Sequence, residues 1–170
     1  SPFYHFPTQI TSIPRAVTIV GSRQLTMLAL ATVVTSSFKN IPPEYLSMES
    51  FWKHSIACGL VARLIASYKQ NANTEIFFLA GLLHDIGRLI IFQDFPAHAR
   101  EILARAAENP ELAHHIEKDI LGIDHAELGG MLMKEWKLSA SLENSCAFHY
   151  MPMEAQDPLL PAVVHVADII

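Results

Sequence analysis

The stretch Leu82-Leu83-His84-Asp85-Ile86-Gly87-Arg88 places an imidazole and a carboxylate side by side in strongly apolar sequence. Buried charge is unfavourable unless it is paired or coordinated, and a divalent metal ion accepts both ligand types. Adjacent side chains on a helix point about 100° apart, so His84 and Asp85 reach one ion only near a helix end. Gly87 would let the chain bend there. The stretch therefore predicts either a pair of metal ligands or a His-Asp pair that hydrogen-bonds to backbone at a helix terminus.

Four more polar residues stand in contexts that are otherwise apolar or tightly structured. His54 lies in an apolar helical pattern, His125 in the first turn of a capped helix, and His149 at the end of another helix. Asp168 lies in the segment Val164-His165-Val166-Ala167-Asp168-Ile169-Ile170, where an unpaired carboxylate would be costly. These four residues favour the metal interpretation of the His-Asp pair.

The composition of the 170-residue chain is that of one globular domain, or of one domain with part of a neighbour. Hydrophobic residues make up 51% of it, which is enough for a sizeable core. The net charge of −5 and the lack of a concentrated basic face disfavour nucleic-acid binding. Cys58 and Cys146 lie in apolar patterns without a CxxC partner, so we expect buried structural thiols in a reducing, cytoplasmic compartment.

One segment, residues 74–92, is apolar and almost long enough to span a bilayer. It carries His84, Asp85 and Arg88, each of which is costly in hydrocarbon, so we expect a buried helix and no membrane insertion. The chain begins with Ser1 rather than Met and shows no signal peptide, and we therefore expect it to be part of a larger protein.

Apolar residues recur at helical spacing along nearly the whole chain, whereas strand-like alternation is scarce, so the sequence predicts an all-α fold. Ser12 begins a short helix that Gly21 ends. Ser22 caps a second helix that runs to about Lys39, and the prolines in residues 40–43 mark a linker.

A long helix follows in the prediction, from Met48 to about Gln70, with an apolar stripe of Trp52, Ile56, Leu60, Leu64 and Ile65. The remaining helices are predicted from Thr74, as the cap, to about His84; after Pro96; from Asn109-Pro110 to Gly122; from Asp124, in a capping box with Glu127, to Trp136; from Ser139 to about His149; and at the end of the chain with Pro161 in the first turn.

The order of these motifs resembles the HD superfamily of metal-dependent phosphohydrolases and, more narrowly, the HDOD domain. The matching strings are Ser1-Pro2-Phe3-Tyr4, Ser12-Ile13-Pro14-Arg15-Ala16-Val17 followed by Gly21, Trp52-Lys53-His54-Ser55, Leu82-Leu83-His84-Asp85-Ile86-Gly87, and Gly122 to Glu127. The resemblance covers nearly the whole chain. It implies a multi-helix HD-type bundle over residues 47–170, and it makes residues 1–46 the C-terminal part of a truncated N-terminal helical lobe.

The resemblance also implies a ligand set. His54, His84, Asp85 and Asp168 match the family's one-metal positions. His125 and His149 match the extra histidines that let some HD proteins hold a second ion, with Asp85 bridging. The implied cofactor is thus one or two divalent ions, and His and carboxylate ligands suit Fe, Mn, Zn, Ni or Mg.

Three further assignments concern residues near this set. Asp85 and Arg88 are the catalytic candidates, and the Arg88 guanidinium would pair either a phosphate oxygen or a nearby acidic residue. His165 stands three residues before Asp168 on the same helix face, either as a hydrogen-bond partner of a ligand or as an ordinary buried histidine. The other histidines are predicted to be surface residues: His5, His98, His114 and His115.

Three functions remain open at this stage. The first is a bacterial signal-transduction output domain with a metal-binding HD centre, whose partners are other signalling domains or proteins, since HDOD domains occur attached to signalling modules. The second is an active phosphohydrolase acting on a nucleotide or other phosphoester, in which the metal activates water and polarises a phosphoryl oxygen. The third is a sensor that binds a small nucleotide without cleaving it.

One departure from the resemblance bears on the second function. HD proteins that cleave cyclic dinucleotides carry a Gly-Tyr-Pro motif after the late histidines, and the corresponding stretch here, His149-Tyr150-Met151-Pro152-Met153-Glu154, lacks it. This departure disfavours cyclic-dinucleotide hydrolysis.

Overall fold

The computed structural model describes residues 29, 32–34, 37–38, 41–109 and 112–170. The chain divides by compactness into two units, residues 1–39 and 40–170. In the first unit the described positions 29, 32–34 and 37 are helical, in agreement with the predicted helix that ends near Lys39. The predicted helix starts at Ser12 and Ser22, the stop at Gly21, and His5 lie outside the described residues. The division at residues 46 and 47 stays a prediction.

The described part of the second unit consists of helices joined by turns and short loops, and it contains no strand. Its α-helices are α1 Met48–Tyr68, α2 Thr74–Leu83, α3 Ile86–Asp94, α4 Pro96–Ala106, α5 Ala113–Leu121, α6 His125–Glu135, α7 Ala140–Ala147 and α8 Leu159–Ile169, with a 3-10 turn at Pro152–Glu154. The all-α prediction is confirmed. No helix among these residues is long and apolar enough to cross a membrane.

Helix α1 buries a different face from the predicted one. Ile56, Leu60 and Leu64 are 45%, 45% and 69% exposed. The buried positions are mostly small: Phe51, Ser55, Cys58, Gly59, Ala62 and Ala66. A Cβ on Gly59 would come within 2.7 Å of the Phe78 carbonyl oxygen, so α2 approaches the α1 backbone too closely for large side chains. The predicted stripe was wrong because the buried face of α1 is the one whose small residues allow α2 to come close, and not the one with the largest apolar side chains.

Helix α2 runs through the core and ends where the His-Asp pair begins. Phe77, Phe78, Leu82 and Leu83 are buried, and the N-cap position is Asn73, one residue before the predicted Thr74. The helix stops at Leu83, residues 84–85 form a turn, and α3 starts at Ile86. The pair therefore lies at a junction between two helices, as its geometry required.

Gly87 serves close packing rather than the bend predicted for it. It is not among the glycines with positive φ, so the change of direction occurs before it, at residues 84–85. A Cβ at position 87 would overlap the carbonyl oxygen of His125 and come within 2.8 Å of the Gly129 nitrogen. This glycine lets α3 pack directly against the first turns of α6.

The start of α6 follows the predicted pattern. Gly122 ends α5 in the left-handed conformation with φ of 77°. Asp124 accepts a hydrogen bond from the Glu127 backbone nitrogen at 2.9 Å, and the Glu127 side chain accepts one from the Asp124 nitrogen, which completes the capping box. This cap places His125 as the first residue of α6, facing the α2–α3 junction.

Candidate metal centre

The structure brings together all six residues that the sequence predicted as metal ligands. They come from five places in the fold: His54 in α1, His84 and Asp85 at the α2–α3 junction, His125 at the start of α6, His149 in the turn after α7, and Asp168 in α8. His84, Asp85, His125 and His149 are buried, which is uncommon for polar and charged side chains unless they are paired or coordinated.

The first group of ligand atoms belongs to His54, His84 and Asp85, whose nearest ligand atoms all lie within 4.8 Å of one another. Asp168 Oδ1 joins this group, 2.9 Å from His54 Nε2 and 3.2 Å from His84 Nε2. His84 Nε2 is 3.6 Å from Asp85 Oδ1. Two imidazoles and two carboxylates therefore converge on one point.

The second group belongs to Asp85, His125 and His149, again with all ligand atoms within 4.8 Å. His125 Nε2 lies 3.1 Å from Asp85 Oδ1. Asp85 is common to both groups, so its carboxylate stands between them.

Hydrogen bonds behind the rings orient three of the histidines. His84 Nδ1 donates to the Gly81 carbonyl and His149 Nδ1 donates to the Cys146 carbonyl, both at 2.7 Å. His125 Nδ1 contacts the buried carboxylate of Glu117, which also accepts from the His125 backbone nitrogen at 2.8 Å. Because carbonyls and carboxylates only accept, each Nδ1 carries the proton, and a neutral ring then turns the Nε2 lone pair toward the two groups.

The residues fit a divalent cation. Asp85 Oδ1 and His149 Nε2 are buried and have no hydrogen-bond partner among the described residues. Lone pairs of neutral imidazoles aimed at carboxylate oxygens repel unless a proton or a cation lies between them. A metal ion satisfies the orphaned atoms and removes this repulsion.

The pKa values of the buried groups separate the carboxylates from His149. Burial alone would raise the pKa of Asp85, but the charges of Arg88 and His84 hold it well below its usual range. Burial lowers the pKa of His149 to about 3, and neighbouring His84 and His125 add to the effect. At neutral pH the site thus contains an ionised Asp85 and an uncharged His149, the forms in which both residues bind metal.

The pKa values of His84 and His125 shift in the opposite direction. Burial lowers both, but Asp85 and Asp168 together raise the pKa of His84 well above its ordinary value. Asp85 and Glu117 raise the pKa of His125 above its ordinary value. Without a cation, these two rings would therefore hold the protons that compensate the carboxylates.

A cavity of about 520 Å³ opens onto the first group. Its walls are formed by His54, Asp85, Arg88, His114, Tyr150, His165, Asp168 and Ile169. The His54 side chain is 44% exposed and that of His84 is 0% exposed, so the centre is open on the α1 side and closed toward the core. An accessible centre of this kind differs from the closed coordination of structural metal sites.

Of the two partners predicted for Arg88, a phosphate oxygen or a nearby acidic residue, the structure shows the second. Arg88 Nη1 lies 3.2 Å from Asp85 Oδ2, so the guanidinium pairs with an acidic residue while it also lines the cavity. His165 lies half-buried on the cavity wall, and its Nδ1 has no hydrogen-bond partner in the described part of the chain. A role for His165 as the partner of a ligand stays a prediction.

Sequence reasoning missed three residues of the centre. Glu117 is 2% exposed and orients His125; the signal for it was an acidic residue eight positions before a predicted ligand. Tyr150 lines the cavity and directly follows His149. His114, predicted to be a surface residue, is half-buried because it stacks on Tyr150 with ring centroids 4.1 Å apart and planes at 8°.

Other predictions about individual residues hold. His98 and His115 are exposed. Cys58 and Cys146 are free, buried thiols, and burial raises the pKa of Cys146.

Comparison with known proteins agrees with this architecture. The HDOD domain family profile matches residues 1–152, which is most of the chain. The chain belongs to the HDOD family. A sequence relative, an uncharacterized protein from Treponema pallidum (strain Nichols), is 26% identical over 156 residues, which are 91% of this chain and 30% of the relative.

Solved structures with the HDOD fold are also similar. A provisionally assigned phosphohydrolase from Shewanella amazonensis SB2B has a TM-score of 0.84 at 27% identity, over 95% of this chain and 59% of that protein. An HDOD domain protein of unknown function from Geobacter sulfurreducens has a TM-score of 0.78 at 24% identity, over 99% of this chain and 57% of that protein. The chain thus spans well under two thirds of these relatives.

Proposed function

We propose that this HDOD domain is a signal-transduction output module whose HD centre binds one or two divalent metal ions in an accessible site. The observation that carries the proposal is the pair of ligand groups that share Asp85, in which Asp85 Oδ1 and His149 Nε2 have no hydrogen-bond partner among the residues that the structure describes. Membership of the HDOD family supports the signalling role. A provisionally assigned signal transduction protein from Marinobacter aquaeolei VT8 shares the fold, with a TM-score of 0.82 at 23% identity over 98% of this chain and 38% of that protein.

The ligands would be divided between two positions. His54, His84, Asp85 and Asp168 would hold one ion, and Asp85, His125 and His149 would hold another. A bound divalent ion supplies Lewis acidity toward water and toward a phosphoryl oxygen. Arg88 keeps Asp85 ionised and faces the cavity, where its remaining N–H groups can bind an anionic ligand.

A second candidate function is phosphoester hydrolysis at the same centre. The cavity favours it, because it is open beside the first ligand group and carries the cationic Arg88 on its wall. The Shewanella protein, provisionally assigned as a phosphohydrolase, supports this candidate through its similar fold. A third candidate, a nucleotide sensor, requires only that the cavity bind a nucleotide without cleavage.

Metal content tests the first proposal directly. Protein purified without chelator is expected to contain at least one equivalent of a divalent metal by elemental analysis. Asp85→Asn should lose it, since the shared carboxylate contributes to both groups. Asp119→Asn, which changes an exposed carboxylate outside the centre, is the matched control and should keep it. Equal metal content in wild type and Asp85→Asn would contradict the proposal.

The same protein separates the candidate functions. Turnover of nucleotides or phosphoesters by the Mn²⁺-loaded wild type, absent in Asp85→Asn, would favour the hydrolase. Full signalling by His84→Ala in the parent protein would favour an output module in which the metal has no catalytic part. Calorimetric binding of a nucleotide without turnover would identify the sensor.

A further inference from the structure

The hydroxyl of Tyr150 occupies the face of His125 that a metal ion would need. Its oxygen lies 3.2 Å from His125 Nε2, which is the nitrogen that also faces Asp85. In the neutral form of the ring, which is the form that binds a metal, Glu117 accepts from Nδ1 and Nε2 is an acceptor. Toward this form Tyr150 is the donor, and its O–H uses the lone pair of His125 that an ion would need.

The position of Tyr150 is enforced by its surroundings. Its ring stacks on His114 and also contacts His149, with centroids 4.1 and 4.2 Å apart respectively. A phenol is protonated at neutral pH, so the Tyr150 hydroxyl can donate. The Tyr150 hydroxyl therefore competes with a metal ion for His125 Nε2 in the second group of ligands.

The first group has no such competitor in the described part of the chain. His54 Nε2 lies beside the Asp168 carboxylate, and His84 Nε2 lies beside those of Asp168 and Asp85, which are themselves ligand types. The Cys58 thiol, a weak donor, also interacts with His84. An ion at this group replaces no hydroxyl hydrogen bond. An ion at the second group must displace that of Tyr150.

We infer that Tyr150 is a specificity-determining residue for metal stoichiometry, which makes the two groups unequal. The group of His54, His84, Asp85 and Asp168 holds the resident ion, and the group of Asp85, His125 and His149 binds a second ion only when the Tyr150 hydroxyl is displaced. This inference rests on the proposed metal-binding function and adds to it the order in which the two groups fill.

Titration with Mn²⁺ tests the inference. Calorimetry measures the affinity of each ion, and the electron paramagnetic resonance signal of spin-coupled Mn²⁺ pairs reports when both groups are filled. Wild-type protein is expected to bind one ion tightly and a second ion at least tenfold more weakly. Tyr150→Phe removes the competing hydrogen bond and should tighten the second ion about five- to tenfold, while the first is unchanged. The coupled-pair signal should then appear at lower Mn²⁺ concentration.

Tyr68→Phe is the matched control, because it removes the same hydroxyl from a tyrosine that is 84% exposed on α1. It should behave as wild type. Tyr150→Leu also lacks the hydroxyl and provides a second variant, should the phenylalanine variant fold poorly as judged by circular dichroism.

The possible outcomes distinguish a failure of the Tyr150 inference from a failure of the metal-binding proposal. If wild type already binds two ions of similar affinity, or if neither Tyr150 variant tightens the second ion, the inference fails and the metal proposal stands. Weaker second-ion binding in both variants would also overturn the inference, because Tyr150 would then be a ligand. If no ion binds to any form, both are wrong.

Discussion

At the scale of single residues, His149 shows how burial prepares a metal ligand. The ring is fully buried, its Nδ1 donates to the Cys146 carbonyl, and its Nε2 has no hydrogen-bond partner among the described residues. Since burial lowers its pKa to about 3, the folded protein keeps this ring neutral far below the ordinary value of 6.5. The unfolded chain, in contrast, protonates it near that value.

This difference predicts a pH dependence for the metal-free protein. As the pH falls from 6.5 to 5, the unfolded state takes up a proton at His149 and the folded state does not, so stability decreases by up to about 1.4 kcal/mol per pH unit. The pKa of His114 is also lowered by burial and adds in the same direction. The contribution of His84 and His125 to the free energy of unfolding, which comes from their raised pKa values, is fully present below pH 6.5 and does not oppose this decrease. The contribution of the ionised carboxylate of Asp85 is lost only below pH 5.

Denaturant unfolding in chelator at several pH values between 6.5 and 5 measures this slope. His149→Gln cannot titrate and should show a clearly shallower slope than wild type. His98→Gln changes an exposed histidine and should leave the slope unchanged. An equally steep slope in His149→Gln would show that other groups are responsible.

At the scale of elements, the contact between α3 and α6 sets the distance between Asp85 and His125. Asp85 directly precedes α3 and His125 is the first residue of α6. Gly87 allows the two backbones to meet, because any Cβ there would overlap the His125 carbonyl oxygen. The second ligand group therefore depends on a residue that itself binds nothing.

Gly87→Ala is expected to destabilise the protein by about 3 kcal/mol or more, because neither backbone can yield without shifting a helix. It should also weaken metal binding, since it separates Asp85 from His125. Gly122→Ala is the control: a Cβ there meets nothing within 4 Å, and only the φ of 77° is unfavourable, which costs about 1 kcal/mol. Its metal affinity should equal that of wild type. Chemical denaturation and Mn²⁺ titration of both variants measure the two effects, and equal losses would contradict the prediction.

At the scale of the whole molecule, the ligands tie together helices from both ends of the second unit. His54 lies in its first helix and Asp168 in its last, and the two side chains meet at 2.9 Å. An ion that binds both can bind only the folded unit at full affinity, so metal binding should couple to global stability.

Saturation with Mn²⁺ at one hundred times the dissociation constant is expected to stabilise the protein by about 2.7 kcal/mol per site against unfolding. Chelator should reverse the effect, and Asp85→Asn should show none of it. Thermal unfolding with and without metal provides the measurement. A transition temperature that does not respond to metal would indicate that the six side chains do not act as one site.

Much of the fold could be predicted because its signals are local. The capping box of Asp124 and Glu127, the stop at Gly122 and the break after Leu83 each depend on neighbours a few residues apart. The buried face of α1 could not be predicted in the same way. Which side of a helix is covered depends on how closely α2 approaches it, and that approach is set by small residues that carry no strong hydrophobic signal.

By itself, the sequence determined the helical class and most helix boundaries to within a few residues, because periodicity and caps are properties of nearby residues. Its resemblance to the HD superfamily supplied the six candidate ligands. Only the tertiary structure decided that Asp85 is shared by two groups, that Glu117 contacts Nδ1 of His125, and that the Tyr150 hydroxyl lies at its Nε2. These contacts join residues from separate helices, and their distances exist only once the helices have packed.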